Sequence, residues 1–357
     1  MSDEPDTGRP SSNGWPTCAW VPEPDREACT GVRVGSADLC WAHLPVPGFK
    51  EALTFLEPGG KLDLRGTSLS ASRLRQILAA MRDPGDEKPR IRDAEFDQTT
   101  FMGDSSFAHA VFSGRAGFDN VTFAKDVSFE KTEFGDYAAF HNATFKGWAD
   151  FYRAKFDQVT FARSNFGSAN FEEVIFDGGL TEFNYVSFSA GVSFTNAVAK
   201  GETRFLRANF ANDANFRGMT FDGQASFGHA VFNDDAHFED TVFGESAEFG
   251  YVRFPEEAWF YGAQFKDNAD FGETKFTGHA LFYKATFAKQ VFFENADIGG
   301  NAAFSGAEFH GQAGFTSTHV SGRLWMDSLN PGGELVLDDF RADSVVEVTV
   351  RQPPFAS

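Results

Sequence analysis

Between residues 94 and 320 the apolar positions of this chain repeat at a period that belongs to no helix. Phenylalanine recurs at 96, 101, 107, 112, 118, 123, 129, 134, 140, 145 and 151, and again from 205 to 293, with gaps alternating five and six. Of the 44 phenylalanines, 39 stand on this lattice, so it describes the core and not one local segment. Two positions before nearly every one lies a small or β-branched residue, as at Ala94, Ser105, Ala116, Val127, Ala138 and Ala149, with Met219 the exception. The residue between them is polar or variable. In an extended strand alternate side chains point to opposite sides, so the small residue and the ring face inward and the middle residue meets water. Gaps of five and six match neither the three nor the four of a helical stripe.

The segments ANF at 169–171, ANF at 208–210 and ADF at 269–271 give the unit as Ala, then Asp or Asn, then Phe, followed by variable residues. On these segments, over about residues 94 to 320, the chain resembles the pentapeptide-repeat family. That resemblance implies a right-handed, four-sided β-solenoid with an inward ladder of Phe or Leu. This chain departs from strict fives by adding a residue to every second unit. Identical segments must lie above one another for parallel ladders to form, so a coil holds a whole number of 11-residue units. One unit is too narrow to enclose two rings, and three would set five-residue sides over six-residue sides. Two units predict an all-β solenoid of about 22 residues per coil, with residue n beneath residue n+22 and the added residues at two opposite corners. About ten coils at ~4.8 Å each give a rod on the order of 50 Å.

The lattice slips in two places. After 151 the rings follow at 156, 161, 166, 171 and 176 before jumping to 183, and Ala199 stands where a ring is due. The simpler reading is a locally tighter coil followed by a packing defect; a bend that shapes a binding surface is the alternative. Solenoid ends need caps, because open strand edges pair with other chains. Residues 70–82 place Leu74, Ile77, Leu78 and Met81 on one helical stripe, with Ser70 as N-cap and Pro84 just beyond, which predicts a capping helix over the first coil. The expected organisation is a disordered 1–17, a Cys/His module and linker over 18–60, a capping segment over 61–93, the solenoid over 94–320, and a β cap and tail over 321–357.

Charge adds a second layer. The net charge is −20, and residues 94–320 hold 31 acidic and 16 basic side chains, an excess of −15. Such a rod repels nucleic acid and anionic membranes and favours a basic or DNA-binding protein partner. No apolar run reaches the ~20 residues a membrane helix needs, and the first residues lack the pattern of a signal peptide, so a cytoplasmic location is expected.

All three cysteines fall ahead of the helix, spaced with a histidine as Cys18, Cys29, Cys40 and His43. Three thiolates and an imidazole are the donors a structural tetrahedral Zn²⁺ accepts, and four protein ligands leave no open position for hydrolysis. The alternative is three reduced, partly buried cysteines beside a histidine. His109, His141, His229, His237, His279, His310 and His319 converge with no nucleophile, and no phosphate-binding glycine loop follows a strand, so no enzyme is expected.

The n+22 rule also sorts surface residues into columns. Asp213, Asp235 and Glu257 share one column, Asp234 and Glu256 its neighbour, with Trp259 and Leu281, and Tyr261 and Tyr283, beside them. Acids that steer and aromatics that anchor make a candidate protein-binding surface; ordinary solvated corners are the bland alternative. The first functional expectation is a non-catalytic interaction scaffold. The resemblance implies a second: some pentapeptide-repeat proteins mimic duplex DNA and occupy enzymes such as gyrase, protecting them from inhibitors. An excess of −15 over ~50 Å is one charge per ~3 Å, about half the density of a duplex at ~1.7 Å per charge.

Overall fold

A computed structural model describes residues 14–21 and 27–350, with the side chains of 328–331 and 346–350 outside the description. Most of the expected disordered N-terminus and the last seven residues therefore lie outside the described residues. The chain winds into a parallel β-solenoid of about 11 coils with two short helices. In the regular part each coil contributes four short strands. Ala214–Asn215, Thr220–Phe221, Ala225–Ser226 and Val231–Phe232 make one coil, and Ala236–His237 opens the next above Ala214–Asn215. The pairings Ala214↔Ala236, Ala236↔Ala258 and Ala258↔Ala280 set the register at 22 residues, as the 11-residue unit requires.

The two gap lengths build two kinds of corner. At the five-residue gap the carbonyl of one ring residue accepts from the amide three positions on, as in Ala230 N to Phe227 O at 2.9 Å, and the residue before the donor has positive φ. His229 at 59° and Gly218 at 64° are examples. This is the type II turn, whose third residue must adopt the left-handed region. The six-residue gap turns through a bend that carries the added residue. The kinds alternate along the chain, so like corners lie opposite each other.

All 39 lattice phenylalanines are buried. Along the axis Phe216, Phe238, Phe260 and Phe282 stack face to face at 4.8, 4.9 and 4.6 Å, while across the tube Phe238 meets Phe227 and Phe249 edge-on at 5.5 Å. Both arrangements suit the ring quadrupole. Threonines at the small inner positions are satisfied: Thr132, Thr241 and Thr274 each donate to a phenylalanine carbonyl one coil below, at 2.8, 2.8 and 2.6 Å.

The slip after 151 is a tighter coil. Thr144 pairs with Asn165 at an offset of 21 and Lys155 with Ile175 at 20, and Ile175 pairs with Val198 at 23, which restores the phase. The rings stay stacked throughout, as at Phe145–Phe166 (4.3 Å) and Phe151–Phe171 (4.8 Å). The extra length is taken up at Gly178, where a Cβ would sit 1.8 Å from the Asp157 carbonyl. Ala199 is fully buried between Phe176 and Phe221 in its column, so the ladder there lacks one ring.

The ladder starts earlier than the phenylalanine lattice. Leu62 pairs with Ala94 and Leu69 with Phe101 at an offset of 32, so a first coil begins at Gly60 with leucine in place of phenylalanine. The ten added residues are helix α2, Ala71–Ala80, whose Ser70 side chain accepts from the Arg73 amide and whose Leu74, Ile77 and Leu78 are buried. The helix is thus inserted within that coil, and its Leu74, Ile77 and Leu78 join the solenoid core. The end itself is covered by Trp41, Leu44 and Phe49, which join the solenoid core in one continuous cluster; Phe49 sits on a further helix α1, Val46–Leu53, that the sequence reading did not foresee. At the C-terminal side the register continues past 320, with Ala302↔Leu324 and Ala313↔Leu335.

Candidate metal centre and surface columns

Cys18, Cys29, Cys40 and His43 come together, with one ligand atom from each lying within 4.8 Å of all the others. The strand-like bridge Thr17↔Val32 delivers Cys18 opposite the Cys29 turn, and Cys40 and His43 sit on the turn that leads into α1. Cys29 Sγ is 3.7 Å from Cys40 Sγ; His43 Nδ1 is 3.5 Å from Cys18 Sγ and 3.4 Å from Cys40 Sγ. A tetrahedral cation with ~2.3 Å bonds to sulfur and ~2.0–2.1 Å to nitrogen holds its donors at about these separations.

Two of the sulfurs accept hydrogen bonds from the backbone. Backbone amides of Cys40 and Gly31 donate to Cys18 Sγ and Cys29 Sγ at 3.3 and 3.4 Å. Gly31 has no room for a side chain, since a Cβ there would meet Cys40 Sγ at 2.9 Å. The hydrogen bond from Cys40 draws the Cys29 thiol below its ordinary value, and the same bond together with burial pushes Cys40 far up. His43 is lowered by burial and by the nearby Arg73 charge. Two positioning groups were not legible as part of this site. Trp20 stacks on the His43 ring at 4.2 Å and 4°, and Arg73 of α2 donates to the carbonyls of Trp41 and Leu44 while lying over Phe49 at 4.5 Å. Among the described residues this is the one group of three or more such side chains arranged to hold a metal ion.

The acidic column is partly a structural device. Asp213 and Glu256 are exposed, while Asp234, Asp235 and Glu257 are half-buried. Asp235 Oδ1 accepts from the Glu257 amide one coil above at 3.1 Å, and Asp234 Oδ1 accepts from the Asp235 amide at 3.1 Å. The same column continues with His279 Nδ1 accepting from Asn301 N and Asn301 Oδ1 from Arg323 N, both at 2.9 Å. The added residue of the long corner leaves an amide that a side chain one coil below must satisfy. A short side chain with an acceptor meets that need, charged or not.

The aromatic columns are less open than outward positions suggest. Trp259 is half-buried, with its ring 6.4 Å from His237, and Leu281 is only 7% exposed because its column neighbours Trp259 and Ala303 flank it along the axis. Tyr261 is exposed and receives the Lys284 ammonium on its hydroxyl at 3.1 Å, and Tyr283 is half-buried. Beneath Tyr261 lies Glu239, which accepts from Arg217 at 2.7 Å; burial opposes its ionisation, but His237 and Arg217 hold its carboxyl below the usual range. The n+22 rule applied to residues 217 to 239 would have found this group.

No helix among the described residues is long and apolar enough to cross a membrane. No curated protein sequence matches the chain. Among solved structures it is similar to HetL, a pentapeptide repeat protein involved in heterocyst differentiation regulation from the cyanobacterium Nostoc sp. strain PCC 7120. That match is 12% identical, covers 61% of this chain and 87% of HetL, and has a TM-score of 0.25. It is also similar to QnrB1, a plasmid-mediated fluoroquinolone resistance protein, at 15% identity over 59% of this chain and 87% of that one, with a TM-score of 0.20. The family model of pentapeptide repeats, nine copies, matches residues 107–155, 140–187, 183–231, 227–275 and 271–319. With that match spanning more than half of the sequence, and with inward rings stacked coil upon coil, the chain belongs to the pentapeptide-repeat family.

Proposed function

We propose that this protein is a non-catalytic interaction scaffold, a rigid acidic rod that docks a basic or DNA-binding protein in the cytoplasm. The observation that carries this reading is the filled interior. Every lattice ring is buried, so the tube encloses no substrate pocket and presents its chemistry only outside. Asp213, Asp234, Asp235, Glu256 and Glu257, with Trp259, Tyr261, Leu281 and Tyr283 beside them, form the docking patch. Exposed Asp213, Glu256 and Tyr261 do most of the contact, since Leu281 is covered. Recovery of partners from the native host by wild type and by a Trp259→Ala, Glu257→Lys variant tests the patch; equal recovery would remove it.

The Cys18, Cys29, Cys40 and His43 group takes a structural Zn²⁺ in the same reading. The donor set and the separations support a closed tetrahedral site, and its place on the end cap gives the metal the task of fastening that cap to the first coil. Elemental analysis should find about one zinc per chain. A folded, metal-free protein would end this assignment.

DNA mimicry is the second reading, favoured by the excess of −15 along the repeats. It predicts that micromolar protein alters supercoiling by gyrase, and an unaltered reaction would count against it. Two features argue for the plainer scaffold: the charge density is about half that of a duplex, and some of the corner carboxylates are engaged by backbone amides.

A further inference from the structure

One corner of this acidic rod carries the opposite charge. At the third residue of successive type II turns stand Arg163, Tyr185, Arg207, His229 and Tyr251, all with φ between 55° and 62° and all exposed. The register Asn165↔Ser187↔Asn209↔Val231↔Arg253 stacks these turns directly above one another. The guanidinium of Arg163 lies 5.5 Å and that of Arg207 5.9 Å from the Tyr185 ring centre, one from the coil below and one from the coil above. His229 stacks on Tyr251 at 4.9 Å and 11°.

The flanks of this column contain no carboxylate. On one side run Ala162, Asn184, Leu206, Gly228 and Gly250, and on the other Asn165, Ser187, Asn209, Val231 and Arg253. Among the described residues Arg163, Arg207 and Arg253 enter no ion pair, whereas Arg153, Arg204 and Arg217 are each bound to a glutamate. Two unneutralised guanidinium groups are therefore held on a rigid ridge, with a third, Arg253, beside it, in a repeat region whose excess charge is −15.

We propose that this ridge binds an acidic segment of another protein, extended as a polyproline II helix with a carboxylate at every third residue. The spacing carries the argument. Arg163 and Arg207 share the column two coils apart, about 9.6 Å, and two coils further the column holds Tyr251, with Arg253 two residues beside it on the flanking column. Polyproline II repeats its face every three residues, about 9.3 Å, so two carboxylates on one face meet Arg163 and Arg207, and Arg253 lies near the line of the same face further along. A guanidinium held over a tyrosine ring and free of ion pairs keeps N–H groups available to grip a carboxylate with two parallel hydrogen bonds.

Single-stranded nucleic acid fits less well. It binds through open aromatic faces, and both faces of Tyr185 are occupied by arginine. A polymer charged at every unit would also be repelled by the −15 excess of the repeat region as a whole, whereas a peptide charged on one face carries fewer like charges. This ridge is separate from the acidic patch, so the two assignments stand or fall independently.

The test uses the full-length protein and a fluorescein-labelled peptide of about six Glu-Pro-Pro repeats, followed by anisotropy at low ionic strength. Saturable binding is expected, weakened at least tenfold in an Arg163→Gln, Arg207→Gln, Arg253→Gln variant and unchanged in Trp259→Ala. Because the replaced side chains are exposed, the thermal melt of the triple variant should match wild type. Should it not, Arg207→Gln alone must still weaken binding. Absence of saturable binding, or equal binding by a folded triple variant, would overturn the proposal. Tighter capture of oligothymidylate through the same arginines would overturn it in favour of nucleic acid.

Discussion

The missing ring at Ala199 permits a sharp test of how the core is filled. Its column runs Phe134, Phe156, Phe176, Ala199, Phe221 and Phe243, with stacks of 4.7 Å and 5.7 Å below the gap and 5.2 Å above it. Phe176 and Phe221 are two coils apart, about 9.6 Å, too far to touch each other. Yet Ala199 is fully buried, so the space is not open to water. The coil that stacks on Ala199 carries Met219, fully buried two positions before Phe221 and the only residue longer than valine at that inner position between 94 and 320. Its flexible chain is placed to reach into the gap, the use to which methionine is suited. Met219→Ala alone should then cost ~2–5 kcal/mol. Ala199→Phe alone overpacks the rung and should cost ~1–3 kcal/mol. Together they complete the ladder at nearly constant volume, with a net cost below ~1.5 kcal/mol. The coupling in a double-mutant cycle is thus at least ~1.5 kcal/mol in the restoring direction, read from urea midpoints at constant slope. Additive losses, or a stabilising Ala199→Phe on its own, would show that Met219 does not occupy the gap.

Three further outcomes follow from local geometry. Cys40→Ser should abolish zinc stoichiometry, and chelation of wild type should change tryptophan emission, because Trp20 stacks on His43; unchanged emission would separate the cap from the metal. Gly300→Ala should destabilise strongly, since its Cβ would lie 2.3 Å from the Gly278 carbonyl, whereas Gly179→Ala meets nothing within 4 Å and should be tolerated. Equal melts for the two would contradict the close approach of coils at that corner. Asp177, held by Lys200 and by Lys155 at 2.9 Å, should titrate at about 2. A folded pKa below the unfolded ~3.9 means that its contribution is present above pH ~4 and is lost as pH falls toward 2. The side chain is half-buried and open to solvent on one side, so added salt should move its titration back upward, and an NMR midpoint near the ordinary aspartate value in low salt would refute the pairing.

The period of the tube was legible because its signal is steric. Only an inward ring repeated at five and six, with a small residue two before it, satisfies a pleated strand at a corner, and stacking like on like then leaves 22 as the coil length. The first coil escaped notice because Leu62, Leu64 and Leu69 replace rings and α2 stretches the offset to 32. The clustered donors Cys18, Cys29, Cys40 and His43 were visible as residue types, since they are the donor set of a tetrahedral site. Trp20 and Arg73, which orient them, act through stacking and carbonyl contacts that spacing does not encode. The acidic column was correctly aligned by the n+22 rule, but its carboxylates looked free because an unsatisfied corner amide leaves no mark in a sequence. Outward orientation likewise did not reveal that Leu281 is covered by its neighbours along the axis.

The stacking rule itself can be put to a single measurement, the thermal melting of two internal deletions. Removing residues 226–247 takes out 22 residues, so Glu248 falls where Ser226 stood, as the pairing Ser226↔Glu248 provides. That variant should keep one cooperative transition at a similar temperature, with a rod shorter by about one coil, ~4.8 Å. Removing residues 226–241 sets six-residue corners on five-residue corners and should abolish the transition. Similar melting of both variants, or loss of structure in the first alone, would contradict a tube built from two eleven-residue units per coil.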